Sequence, residues 1–415
     1  PGDPNYKKAT PWQAAPNHNP QDFFVKPTTS MVGVLAQGGG DKSTFKIGFS
    51  HDDDHDFVPN SHLAKNLLNF STTYKLLNSL SITGSMDYSD NAAVNRYIYG
   101  GTGGYGSYNG QLGAMSDFRQ WWPTNVNLKQ LKSDFFSSGA NATWNWQTSG
   151  YENNTSLASI VTPAYHDNPY WFVYKNYESD SRTRYFGNIH IDWNVNSWLT
   201  AMVRVSKDSY TQLMELRQDI GSTYTPSYAR NNYWYDGTNY DAMLSMNKKI
   251  SNDFDLKGIL GGNIWQQKQQ TLSAATSGGL VVPGLFSLSN SVNTPPAPTE
   301  YYGRKEVDGV YADATLSYKE LLNLDATIRR DQSSTLPKNN NSYYYPSVSL
   351  NFQFGNLLKQ WNWLSHAKAW GNYAEVGGDA PLFSTTNTYG TLTPINGESM
   401  FATPTTNNNP KLVPE

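Results

Sequence analysis

Tyr185-Phe-Gly-Asn-Ile-His-Ile-Asp-Trp-Asn-Val195, Asn196-Ser197, Trp198-Leu-Thr-Ala-Met-Val-Arg-Val205: on both sides of a short turn, apolar and polar residues alternate with a period of two. Ile189, Ile191, Trp193 and Val195 share one face, and His190, Asp192 and Asn194 the other. On the return, Leu199, Ala201, Val203 and Val205 oppose Thr200, Met202 and Arg204. That pattern predicts a β-hairpin with one apolar and one polar face.

The unit recurs. Met31–Ala36 and Thr44–Ser50 flank the turn Gln37–Ser43, and Asn66–Leu76 and Leu80–Tyr88 flank Leu77–Ser79. Tyr240–Ile250 and Phe254–Gln266 flank Ser251–Asp253. Val310–Tyr318 precedes the strand of Leu324, Ala326 and Ile328, and the 346–354 run precedes Leu364–Val376. Together these make about twelve strands in about six hairpins. Short turns fall at one end and long stretches at the other: 51–63, 90–182, 211–239, 268–302 and 377–415. Such lopsided connections fit an all-β, transmembrane antiparallel barrel better than a soluble sandwich. Trp198, Phe254, Trp361 and Trp363 sit beside the short turns, where an interfacial aromatic girdle is expected. The charged residues Lys46, Arg204, Asp325 and Arg329 are expected on the lumen side.

Composition agrees. The chain has 415 residues, of which 38% are hydrophobic and 14% aromatic, and its mean hydropathy is −0.61. No stretch supplies the about 20 apolar residues of a spanning helix, whereas a barrel strand needs only about 9–11 alternating ones. The absence of cysteine excludes disulfides, thiolate metal sites and a cysteine nucleophile. A net charge of −3 without a basic stripe argues against nucleic acid. No secretory leader precedes the polar run Pro1–Pro27, so a longer natural chain is expected. The same follows from the sheet: twelve strands left open would expose two long edges to lipid. Residues 1–30 read as an irregular lead-in segment and 31–415 as part of a barrel.

The order of several short motifs resembles the SusC/RagA-like TonB-dependent outer-membrane transporters of Bacteroidetes. They are Gly38-Gly-Gly-Asp-Lys-Ser-Thr44, Val58-Pro-Asn-Ser61, Asn168-Pro-Tyr-Trp171, Arg184-Tyr-Phe-Gly187, Tyr345-Pro-Ser-Val-Ser-Leu350, Ala374-Glu-Val-Gly377 and Asn409-Pro-Lys-Leu-Val-Pro-Glu415. The resemblance implies a plugged barrel of about 22 strands, with the plug and the closing strands outside this chain. It implies short turns such as Asn196-Ser197 and Asn252-Asp253 in the periplasm and long loops outside. It also implies import of oligosaccharides or peptides, a SusD-like surface lipoprotein as lid, and energy from TonB through the plug. A passive porin or adhesin barrel and a secreted, soluble all-β glycan-binding protein are the alternatives.

Candidate chemistry is sparse. His51-Asp-Asp-Asp-His-Asp56 is the densest polar cluster. Its ordinary reading is a solvated loop tip. Asp52, Asp54 and Asp56 alternate as calcium ligands do but lack the glycine and distal glutamate of an EF-hand, so no cofactor is expected beyond a loosely held structural calcium. A zinc site on His51 and His55 has no catalytic signature beside it. No nucleophile elbow, P-loop or acid/base carboxylate pair is present, and Gly101–Gly106 neither follows a parallel strand nor opens a helix, so no enzyme is expected. Aromatic clusters in the longest excursion, Trp121 and Trp122 and then Tyr170, Trp171 and Tyr174, are the candidate ligand contacts, since flat faces stack on sugar rings. The competing reading is that they form the excursion's own core.

Overall fold

The computed structural model describes residues 13–95, 118–119, 122–145, 163–358, 361, 363–364 and 366–414. The strands are β1 (Thr28–Gly39), β2 (Ser43–His55), β3 (His62–Leu77), β4 (Leu80–Val94), β5 (Glu178–Asn194), β6 (Leu199–Gln218), β7 (Ser227–Lys249) and β8 (Phe254–Ala275). They continue with β9 (Ser277–Leu280), β10 (Ser291–Asn293), β11 (Thr299–Tyr318), β12 (Leu322–Ser333), β13 (Ser342–Phe352), β14 (Ala369–Ala374), β15 (Gly390–Ile395) and β16 (Glu398–Ala402). Twelve form one antiparallel sheet in chain order, β1 to β8 and then β11 to β14. The pairs β9–β10 and β15–β16 form two small ribbons. All the hairpins read from the sequence are present.

Register converts the period-two pattern into continuous rows. Gly84, Ile189, Val205, Tyr240 and Ile264 stand opposite one another across five strands. One pair nearer the short turns, Ile82, Ile191, Val203, Ala242, Gly262 and Val310 are aligned. The next row runs Trp193, Ala201, Leu244, Leu260, Ala312, Ile328 and Pro346. These side chains do not pack into a core: Ile189 is 62% exposed, Val203 51% and Val310 59%. An apolar surface this wide needs a non-aqueous neighbour.

The band has edges. Toward the short turns lie Trp193, Trp198 under the ammonium of Lys248, the Phe254–Tyr318 pair, and the stacked Trp361 and Trp363. About nine residues up each strand the outward row turns polar, the height expected of a lipid-facing strand. On β6 and β7 the change comes at Lys207, whose Nζ reaches Asp236 (2.5 Å) and Thr238 (3.0 Å). On β8 and β11 it comes at Gln266, which donates to Glu306 (2.8 Å).

Several stretches read as loops are strand. The 211–239 loop shrinks to 219–226, 268–302 to 276–298, and 51–63 to 56–61, so Asp52 and Asp54 lie on β2. Beyond the apolar band both faces of a strand meet water. The alternation vanishes while the ladder hydrogen bonds continue, because two-sided polar strands still pair. At the other end β14 is shorter than the 364–376 run, since a 3-10 turn at Phe354–Leu358 and the tryptophan segment occupy the connection.

Val203→Arg, in the middle of the band, should cost about 2–4 kcal/mol of folding free energy in lipid vesicles, and Met202→Lys, which faces Asp192 across the sheet, less than about 1 kcal/mol. Equilibrium urea unfolding in vesicles measures both, and equal costs would refute the assignment of faces.

Candidate functional site

The polar face of the sheet is built as a network. Arg204 Nε donates to Asp241 (3.0 Å), Asn239 donates to the same carboxylate (2.8 Å), and Asn263 donates to Asn239 (3.1 Å). Arg329 then donates to Asn263 (2.9 Å) and pairs with Asp331 (2.8 Å), which also accepts from the Tyr345 hydroxyl (3.1 Å). This line crosses from β6 to β13, yet β11 contributes no side chain to it. Gly309 sits between Asn263 and Asp331 in the register, and a Cβ there would lie 2.4 Å from the Arg329 guanidinium and 2.6 Å from Asn263 Oδ1. The glycine is the gap through which Arg329 reaches over its neighbouring strand.

Nearer the long-loop end the same face becomes aromatic. Arg184 grips both oxygens of Asp208 (2.7 Å each), and Arg182 donates twice to Gln212 while lying 4.8 Å over Tyr210. Tyr210 stacks on Tyr235 with centroids 5.1 Å apart. Charged forks beside flat rings suit ligands that offer hydroxyls, amides and apolar faces together. The segment after β14 lies along this face: Asp379 accepts from Lys305 (2.7 Å) and Ser333 (2.7 Å), and Leu382 sits over Gly303.

The excursion between β4 and β5 forms a rim with its own core. Helix α1 (Leu128–Ser138) starts at Asn127, whose side chain accepts from Lys129 and Gln130 N–H, and stops at Gly139 in the left-handed region. Helix α2 (Pro169–Lys175) is capped by Asn168, with Pro169 in its first turn. Phe23, Val58, Leu131, Phe135, Tyr170 and Trp171 pack between them, flanked by Phe118, Trp122 and Tyr174.

Asparagines and two aspartates tie this rim down. Asn168, wholly buried, donates to the Leu131 and Ala142 carbonyls (2.9 Å each). Asn60 and Asn95 both donate to the Val173 carbonyl (2.8 and 2.7 Å). Asp167 accepts from Asn141, Ser222 and Thr223 N–H (2.8, 2.6 and 2.9 Å), and Asn176 accepts from Asp219 N–H (3.0 Å). Asp219 in turn accepts from Gly284 N–H (2.7 Å). Four connections at this end of the sheet are thereby joined. Burial pushes the Asp167 carboxyl up, opposed by its bonds from Ser222, Asn141 and Thr223.

Between the 56–61 turn and α2 lies a cavity of about 450 Å³ lined by His55, Asn60, His62, Lys132, Tyr170 and Tyr174. Lys132 Nζ stands 5.7 Å over the Tyr170 ring, and burial pushes the Tyr170 hydroxyl up to about 12.

The structure brings some of the aromatics singled out in the sequence together and separates others. Tyr170 and Tyr174 both line the cavity, but Tyr170, like Trp171, is only 3% exposed and belongs to the rim core, which leaves Tyr174 the more open of the two. Trp122 is half-buried, donates Nε1 to the His18 carbonyl (2.6 Å) and packs edge-on against Phe118 and Trp144. Trp121 and Gly101–Gly106 lie outside the described residues. Asp52 and Asp54 point to the face opposite Asp53, and Asp56 follows the strand end beside the cavity. His51 bonds Asn66 (2.8 Å) and stands apart from His55. Sequence reading missed the Arg182–Tyr210–Tyr235 patch and the Asp167 anchor. The first lies on strand taken for loop, and the second is a single residue with no pattern around it.

No protein-family model and no curated protein matches the chain. Among solved structures it is similar to the RagAB peptide transporter, with 14% identity, a TM-score of 0.72, and coverage of 93% of this chain and 41% of that one. The RagAB peptide importer in its "closed-closed" state gives 14%, 0.72, 97% and 42%, and in its "open-open" state 14%, 0.70, 94% and 41%. The chain thus spans about two fifths of the length of these solved chains. The likeness bears out the SusC/RagA-like resemblance in fold: the sheet is the wall of an outer-membrane-transporter type of antiparallel β-barrel, and its network face is the inner one.

Gly309→Ala should displace Arg329 and lower stability by about 1–3 kcal/mol, while Gly371→Ala, with nothing within 4 Å of its Cβ, should change it by less than about 0.5 kcal/mol; urea unfolding of the folded barrel compares them. Asp167→Ala removes the acceptor of four hydrogen bonds, a loss of about 2–4 kcal/mol confined to the rim. Limited proteolysis should then cut within 219–226 at a raised rate with the wall intact.

Proposed function

We propose that this chain is barrel wall of a TonB-dependent outer-membrane importer of large nutrients. The outward apolar band, about nine residues tall and bounded by aromatics and charges, carries the reading. It gives the wall a lipid side and leaves the arginine, tyrosine and amide groups for a polar interior. The RagAB neighbours are structures of a peptide transporter, which supports transport as the role of this wall.

In this reading the short turns face the periplasm and the rim faces outside. A ligand is captured at the rim, passes along the inner face and is released by rearrangement of a plug driven through TonB. Of the two ligand classes, oligosaccharides and peptides, the RagAB neighbour favours peptides, which that protein transports. Tyr174 is the proposed ligand contact at the rim, with Tyr170, Trp122 and Trp171 holding it from the core. The joined rim loops give a SusD-like lipoprotein a fixed surface to close on. A passive porin would share the wall but would not need energy. A soluble glycan-binding protein would have to cover the band with a further layer.

The experiment is uptake of fluorescent peptides and oligosaccharides by cells with and without the full-length gene. Uptake of one class should be lost on deletion and on adding a protonophore. Uptake that survives the protonophore would make the barrel a passive pore, and release of the protein by carbonate wash without detergent would make it soluble.

A further inference from the structure

The cluster at the end of β2 has a geometry of its own. His55 and His62 are the last cross-strand pair of the β2–β3 ladder, and Asp53 lies two residues back on the same face. The Nε2 atoms of His55 and His62 approach different oxygens of the Asp53 carboxylate, each at 3.2 Å. The imidazoles stack at 4.7 Å with planes 25° apart, and one ligand atom from each residue lies within 4.8 Å of the others. In a tetrahedral site with bonds of about 2.0–2.2 Å, ligand atoms stand about 3.3–3.5 Å apart. Each imidazole nitrogen is already at nearly that distance from one carboxylate oxygen, and the set of one atom per residue, spread to at most 4.8 Å, would close by about 1 Å around an ion.

We propose that Asp53, His55 and His62 form a binding site for a divalent transition-metal ion of the zinc class. Two imidazoles and one carboxylate select zinc, nickel or copper over calcium and magnesium, which prefer all-oxygen sets. Three protein ligands leave a fourth position. Since both histidines line the rim cavity beside Tyr170 and Tyr174, that position is open to water or to a donor group on a bound molecule. The ligands are not those of the alternating-aspartate reading: Asp52 and Asp54 lie on the other face, and His51 is held by Asn66.

The site also has a mechanical consequence. Its ligands flank the 56–61 turn, which sends Val58 into the rim core and Asn60 onto the Val173 carbonyl. An ion joining residues 55 and 62 would clamp that turn and thereby one wall of the cavity.

Isothermal titration of ZnCl2 into the chelator-treated, detergent-solubilised protein should show one equivalent bound. His55→Ala and His62→Ala should each weaken binding by at least about tenfold, Asp53→Asn should weaken it too, and His51→Ala should leave it unchanged. Cu2+ electron paramagnetic resonance on the unmutated protein needs no variant to fold and should show coupling to two imidazole nitrogens. Absence of stoichiometric uptake, binding retained by the His55→Ala/His62→Ala double variant, or a copper signal without two nitrogens would reduce the cluster to a hydrogen-bonded His–Asp–His triad and overturn the proposal.

Discussion

Hydrocarbon offers no partner for a backbone amide, so every N–H and C=O in the lipid-facing part of the wall has to pair with the neighbouring strand. This requirement holds the strands in a continuous antiparallel ladder from β1 to β8 and on through β11 to β14. Once the ladder is continuous, a slip of one residue anywhere would turn a whole strand inside out. The row Ile191–Val203–Ala242–Gly262–Val310 and the inner line Arg204–Asp241–Asn263–Arg329 are two sides of one register. Neither could exist if the other were displaced.

The two ends of the sheet solve different problems. Within the band the inner face is crowded, and space is made by omission: Gly309 lets Arg329 cross β11, and Gly261 lies under the Tyr311 ring. At the rim there is no lipid to order the outer surface and only a small apolar core, centred on Phe23, Leu128 and Val173. Precision there comes from side-chain amides that saturate backbone groups, as Asn168 does for Leu131 and Ala142 and Asn60 for Val173. A buried amide left half-bonded is costly, so these contacts fix where the connections meet.

This division explains what could be read from the sequence. Strand pairs such as 185–195 with 198–205 were legible because lipid on one side and a polar interior on the other impose alternation. The upper parts of β6 and β7, from residue 211 on, were not, because residues such as Thr211 and Gln212 are polar on both faces and leave no period. Helix α2 was hidden for the opposite reason: Pro169–Val173 are all buried, so the segment shows no amphipathic stripe. The inner patch of Arg182, Tyr210 and Tyr235 is assembled from three strands. The Gly309 gap likewise depends on the register of β8, β11 and β12, which no single segment contains. The motifs Val58–Ser61 and Asn168–Trp171 were visible as words, and the structure shows that they meet, Val58 packing in the same core as Tyr170 and Trp171.

The His55–His62 pair belongs to the same argument. Both residues fell within the 51–63 stretch read as polar loop, with His55 weighed only as a partner of His51, and in a loop they have no fixed relation. Extending the ladder six residues beyond Phe49 turns them into a cross-strand pair and sends Asp53 to their side while Asp52 and Asp54 go to the other. Alternating aspartates on an isolated tip look like a calcium motif; on a strand, alternation is what separates them. The continuity of the ladder above the lipid therefore decides which side chains can act together at the rim, just as it decides which ones face lipid below.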